Sequence, residues 1–200
     1  MKRSLAAISG AALIAASSAW AAAPGTGNLS RQDRQFVEKA GAGNLAEARL
    51  GKLALRTATT PALREFGRWM MTDHGLANRR LKAVAEPLHA WQKPHLTARQ
   101  RSLARRLEAA RGAQFDREYT AAIVSTHEQA VPLFEKEATK GQDKAIKAYA
   151  QNWAPVIRRH LAEAKRLADL ERRIAAGTRA GAPGTAGSGS SIAPARGARH

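Results

Sequence analysis

The residues best suited to chemistry are three histidines and a glutamate, each set among apolar neighbours at helical spacing. His74 shares a stripe with Phe66, Met70, Met71, Ala77 and Leu81. His127 falls on a stripe with Ile123, Val124, Val131 and Phe134, and His160 on one with Trp153, Val156, Ile157, Ala164 and Leu167. Glu47 lies among Ala40, Gly43, Leu50, Gly51 and Ala54. Residues three and four apart occupy one side of a helix, so all four polar side chains turn toward a helical core. Buried imidazoles and carboxylates need partners. Together they suit one divalent ion, zinc, manganese, iron or copper. The commoner arrangement for such groups is a metal-free network of hydrogen bonds that fixes helix register. Spacing leaves both readings open.

Four long helices must position these groups. Ser30 with Asp33 signals a start for the helix that carries Phe36, Val37, Glu47 and Leu53. Thr57 to Thr60 break it, and Thr60-Pro61 place a capping residue and a first-position proline at the head of the second helix. That helix fades near Glu86-Pro87, and Trp91 to Leu96 read as loop. Thr97 and Gln100 form a capping box for a short basic helix that ends near Arg111-Gly112. The fourth helix runs from about Gln114-Phe115 to Lys140-Gly141, and Asp143 caps the last, which extends to about Ile174. Pro132 and Pro155 fall inside helices, read mainly as tolerated kinks and otherwise as a means of widening the bundle around the histidines. No strand pattern competes. The expected fold is all-α: a four-helix bundle of ferritin-like kind with an additional short crossover helix. If the short helix carries the chain back along the bundle, the second and fourth long helices run parallel, and the four polar positions lie at similar depth.

Neighbouring residues take supporting parts. Asn78 and Glu163, one turn from two of the histidines, are candidate partners for their outer nitrogens. Asp73 lies about 100° around the helix from His74 and reads as a solvated or helix-pairing carboxylate. Tyr119 reads as a core residue with a hydrogen-bonded hydroxyl, and Trp69, Trp91 and Trp153 as packing residues. Met70 and Met71 read as core rather than as copper ligands.

The 200 residues contain no cysteine, which excludes disulfides and thiolate metal sites. Lys2-Arg3, the apolar run Leu5 to Ala16 and the small residues of Ala19-Trp20-Ala21 make residues 1–21 a signal peptide, cleaved after Ala21. The run is too short for a permanent membrane span, and no later stretch is apolar enough for a transmembrane segment. The expected location is therefore periplasmic or secreted. Residues 22–29 form a short linker, 30–176 the bundle domain, and 177–200 a disordered tail rich in Gly, Ala, Pro, Ser and Arg. The formal charge of +17 is concentrated in arginine, with Arg99, Arg101, Arg105, Arg106 and Arg111 on the short helix. A solvated basic face is the simplest reading, and attraction to an anionic envelope surface the functional one. Nucleic acid is not expected, because no aromatic residues interleave the basic ones.

Four segments together resemble domain-of-unknown-function family 4142, exported bacterial proteins of ferritin-like fold. They are Gly43-Asn44-Leu45-Ala46-Glu47-Ala48-Arg49-Leu50-Gly51-Lys52-Leu53-Ala54, Met70-x-x-Asp73-His74, Phe115-Asp116-x-x-Tyr119 followed by His127, and Pro155-x-x-x-x-His160-Leu161. They run in family order across about residues 30–172. The resemblance implies the fold, and for activity only a loose tie to metal chemistry. Ferritin-like di-iron sites take a Glu-x-x-His motif from each of two helices. Here Met71 and Ile157 stand three before His74 and His160, so both motifs are missing. The surviving functions are a metal-binding bundle in envelope or stress protection, a metal-free structural or envelope-interacting bundle, and, weakest, a ferritin-like oxidoreductase. No catalytic residue is assigned.

Overall fold

The computed structural model describes residues 29–180, so the expected signal peptide and most of the tail lie outside the described residues. Five helices follow in order: α1 Arg31–Thr57, α2 Pro61–Ala85, α3 Ala98–Ala109, α4 Gly112–Lys140 and α5 Lys144–Ala180. Among the described residues there is no strand. Four of the five starts carry a side-chain cap, α4 being the exception. Ser30 Oγ accepts from Asp33 N and Thr60 Oγ1 from Leu63 N, while Thr97 and Gln100 cap each other reciprocally. Asp143 accepts from the amides of Ala145 and Ile146 at the head of α5. Each cap satisfies amides that a helix start leaves without a partner. Helix α5 continues six residues past the expected Ile174, to Ala180. Alanine and arginine are good helix formers and carry it beyond the last core contact.

Helices α1 and α2 form one tight antiparallel hairpin, α4 and α5 the other, and α1 faces α4 while α2 faces α5. The first hairpin closes on glycine. A Cβ on Gly51 would sit 2.6 Å from Gly67 O and Met71 N, and one on Gly67 would sit 2.8 Å from Gly51 O. Only two bare Cα atoms let the backbones approach so closely.

Two buried aspartates tie the hairpins together, one at each end. Asp116 on α4 accepts from Thr59 N at 3.1 Å, and from the Thr59 hydroxyl, in the α1–α2 turn. Asp33 on α1 accepts from Gln142 N at 3.0 Å and Asp143 N at 3.3 Å in the α4–α5 turn. Each hairpin thus caps the turn of the other. The contacts also fix direction: α4 begins where α2 begins and ends where α1 begins. So α2 and α4 run parallel, and α3 lies in the long connection that returns the chain, which is the one-crossover topology of ferritin-like bundles.

The core divides in two. One apolar cluster holds Leu63, Phe66, Met70, Phe115, Ile123 and Leu167, the other Phe36, Leu81, Phe134, Ile146, Tyr149 and Ile157. Along α2, His74 falls between Met70 of the first and Leu81 of the second. His127 falls likewise between Ile123 and Phe134, and His160 between Ile157 and Ala164. A polar layer crosses the bundle between two oily halves.

Candidate metal centre

The three histidines come from α2, α4 and α5 and meet in the middle of the bundle. Their ring centroids lie 5.2–5.7 Å apart, and each residue is at most 3% exposed. One ring nitrogen from each lies within 4.8 Å of the other two. Three nitrogens on one tetrahedral ion with bonds of about 2.1 Å stand about 3.4 Å apart, so inward ring shifts of up to about 0.8 Å suffice.

The outer nitrogen of each ring is fixed by an acceptor. His74 Nδ1 lies 3.0 Å from Asn44 Oδ1, His127 Nδ1 3.1 Å from the Ile123 carbonyl, and His160 Nε2 2.9 Å from Asp73 Oδ2. The Asn44 amide is itself oriented: its Nδ2 donates to Tyr149 Oη at 3.1 Å, and that hydroxyl donates to the Ala77 carbonyl at 3.2 Å. Its oxygen therefore faces His74. Carbonyl and carboxylate oxygens only accept, so each outer nitrogen carries the proton and each inner nitrogen presents a lone pair. The inner atoms, His74 Nε2, His127 Nε2 and His160 Nδ1, have no protein partner. Acceptors on the far side of every ring are the arrangement that orients imidazoles at metal centres.

The electrostatics hold the rings neutral. Burial, reinforced by His127 and His160, pushes His74 well below its ordinary pKa. Burial brings His127 down to about 3, with His160 adding to the shift and the Ile123 carbonyl opposing it. Burial also lowers His160, against the pull of Asp73. At neutral pH three lone pairs converge with no proton among them.

Glu47 is buried beside this layer, but its carboxylate is not part of the 4.8 Å group. Of the four expected site residues the bundle brings three together and sets the fourth alongside. Burial raises the Glu47 pKa to about 7, against a contact with Thr126 that lowers it, and one carboxyl oxygen has no partner. Tyr119 stacks on Phe115 at 5.7 Å, yet its buried hydroxyl is unpartnered rather than hydrogen-bonded. Its pKa is raised well above the ordinary value by burial and by the Glu47 charge.

The expected outer partners differ from those observed. Glu163 pairs with Arg166 at the surface, and Asn78 Oδ1 is buried without a partner. One-turn spacing puts both beside a histidine along the helix, but neither hydrogen-bonds to a ring. Asn44, the Ile123 carbonyl and Asp73 take those places. Asp73 is the helix-pairing carboxylate that its angle implied, serving His160 across the bundle rather than its neighbour His74. Trp69 is 42% exposed with its indole N–H on Glu65, so it is not a packing residue.

Fold and site define a class: an all-helical bundle of ferritin-like topology with a buried three-histidine layer. The family follows from comparison. The chain belongs to the family described as Domain of unknown function (DUF4142), whose model matches residues 18–167. Comparisons with curated proteins and with solved structures gave no match.

Proposed function

We propose that this protein is an exported metal-binding bundle that holds one divalent first-row ion through His74, His127 and His160. The observation that carries the reading is the set of three inward lone pairs with no donor between them. A structural hydrogen-bond network needs a proton for every acceptor pair, and the outer acceptors have drawn all the ring protons outward. A cation supplies what the layer lacks. Imidazole donors suit zinc, copper, iron and nickel, and the usual affinity order places copper and zinc above manganese. Glu47, outside the group of three but lining the same groove as His74 and His127, is a neighbour that can steady the ion's charge. Export rests on the basic start, apolar run and small-x-small site of residues 1–21. A bound ion in the envelope suits a protective role there, and the basic face of α3 suits an anionic envelope surface.

Elemental analysis of protein purified without a histidine tag tests the centre. One equivalent of zinc or copper is expected, and fewer than a tenth of an equivalent after incubation with either ion would exclude it. N-terminal sequencing of secreted or periplasmic material should begin at Ala22. An intact Met1 on all of it would remove the export reading.

A further inference from the structure

The strongest unassigned feature is a groove of about 860 Å³ between α1 and α4, bordered along one side by α3. Its walls are small: Ala42, Gly43 and Ala46 on α1 meet Ala121, Ala122 and Ser125 on α4. Large side chains at these six positions would close it. The groove also reaches Glu47, His74 and His127. Their unpartnered atoms, Glu47 Oε2, His74 Nε2 and His127 Nε2, belong to residues at least nine-tenths buried. Three polar groups of the core, each lacking a partner, thus border one opening to the surface. The opposite face of the layer, at His160, is not part of the groove.

The groove border is basic. Lys39 and Arg99 are exposed there and form no ion pair among the described residues, while Arg106 is held by Glu118 at 3.4 Å. Two cations without acidic partners on a chain of formal charge +17 favour an anion, and a cleft with low-dielectric walls concentrates that preference. Three histidines leave a position open on a four-coordinate ion, and in the catalytic sites of zinc enzymes that position takes water or substrate.

We propose that the α1/α4 groove delivers a small anionic ligand to the open position of the three-histidine centre, with Lys39 and Arg99 attracting it. The inference rests on the metal reading and adds a route and a ligand class. The walls select by size and the border by charge.

The test uses the full chain loaded with copper(II) and azide as the probe. Azide binding is followed by its charge-transfer band, with association rates measured by stopped flow. Ala121→Leu with Ser125→Leu fills the groove at two exposed positions and leaves every histidine in place. Copper stoichiometry should be unchanged, and azide association should slow about tenfold or more. Lys39→Gln with Arg99→Gln should weaken azide several-fold and flatten its salt dependence, because screening acts on exposed charges. Imidazole, a neutral ligand, should be indifferent to the charge variants. Azide rates that are equal in the filled and native proteins would overturn the route. Salt-independent azide binding would overturn the anionic class. Failure to take up copper would overturn the metal reading and this one together, whereas copper uptake without azide binding overturns this one alone.

Discussion

Replacing His127 with leucine separates a metal centre from a structural network by the sign of one free energy. In the wild-type layer three ring nitrogens face one another without a donor. An unsatisfied buried polar atom costs about 1–3 kcal/mol. His127→Leu removes one of the three and substitutes an apolar side chain of similar size. Little is lost on the outer side. The Ile123 carbonyl that accepts from the ring lies four residues back in the same helix and keeps its main-chain bond. The chelated variant should therefore be more stable than the chelated wild type, by about 1–2 kcal/mol. Metal reverses the order. An ion at a hundred times its dissociation constant adds about 2.7 kcal/mol to the protein that binds it. Guanidinium unfolding followed by circular dichroism, with EDTA and then with zinc, measures both halves. A leucine variant that is less stable than wild type in EDTA by 1 kcal/mol or more would refute the reasoning, since His127 would then be stabilising the apo bundle.

Other expectations follow from neighbouring features. Asn44→Ala removes the acceptor that orients His74 and should lower metal affinity about 10- to 100-fold with helicity intact, as read by competition with a chromophoric chelator. Acid should destabilise the apo protein: the folded histidines have pKa values below the unfolded 6.5, so the unfolded chain binds more protons. Stability then falls as pH drops below about 6.5, by up to about 1.4 kcal/mol per pH unit for each histidine, and His127→Leu should shallow that slope. Glu137 has the opposite sign. Burial and its hydrogen bond with Asp33 raise it from 4.5 to about 7, so the folded state keeps a proton the unfolded state releases, and stability is lost as pH rises through that window. Glu137→Gln should be more stable than wild type at pH 8, by on the order of 1–2 kcal/mol in urea unfolding. Gly51→Ala brings a methyl to 2.6 Å from the α2 backbone and should cost about 1–3 kcal/mol by thermal melting, because the hairpin must part by most of an ångström.

The helices and the inward turn of the three histidines were legible in the sequence because both are local properties. Apolar stripes, Ser30, Thr60 and the Thr97–Gln100 box act within one or two turns, and the structure places helix starts where they point. The sequence left the parallel run of α2 and α4 conditional on the short helix carrying the chain back along the bundle, and the turn contacts of Asp116 and Asp33 are what decide it. The partners of the rings were not readable. Asn44 meets His74 from 30 residues away, and it faces the ring because Tyr149, 105 residues on, takes its other end. Asp73 adjoins His74 but bonds to His160, 87 residues distant. Nothing in helical spacing distinguishes a side chain that orients a ring from one that reaches solvent, as Glu163 does. The standing of Glu47 beside the trio depends on side-chain length and tilt, which periodicity does not report. The tight Gly51–Gly67 crossing involves two glycines that looked unremarkable in isolation.

The exchange of aspartates between hairpins bears on the order in which the molecule assembles. Until α4 is present, the Thr59 amide in the first turn lacks Asp116; until α1 is docked, the amides of Gln142 and Asp143 lack Asp33. Neither half satisfies its own turn completely, although Arg64 holds the Ala58 and Thr59 carbonyls within the first hairpin. An N-terminal hairpin made first therefore gains little by folding early, and its closing bonds arrive only with the other half. Opening one end likewise removes a bond from both hairpins at once. The native state is then lost in a single transition instead of peeling away hairpin by hairpin, and coincident unfolding of the two hairpins in hydrogen exchange is its signature.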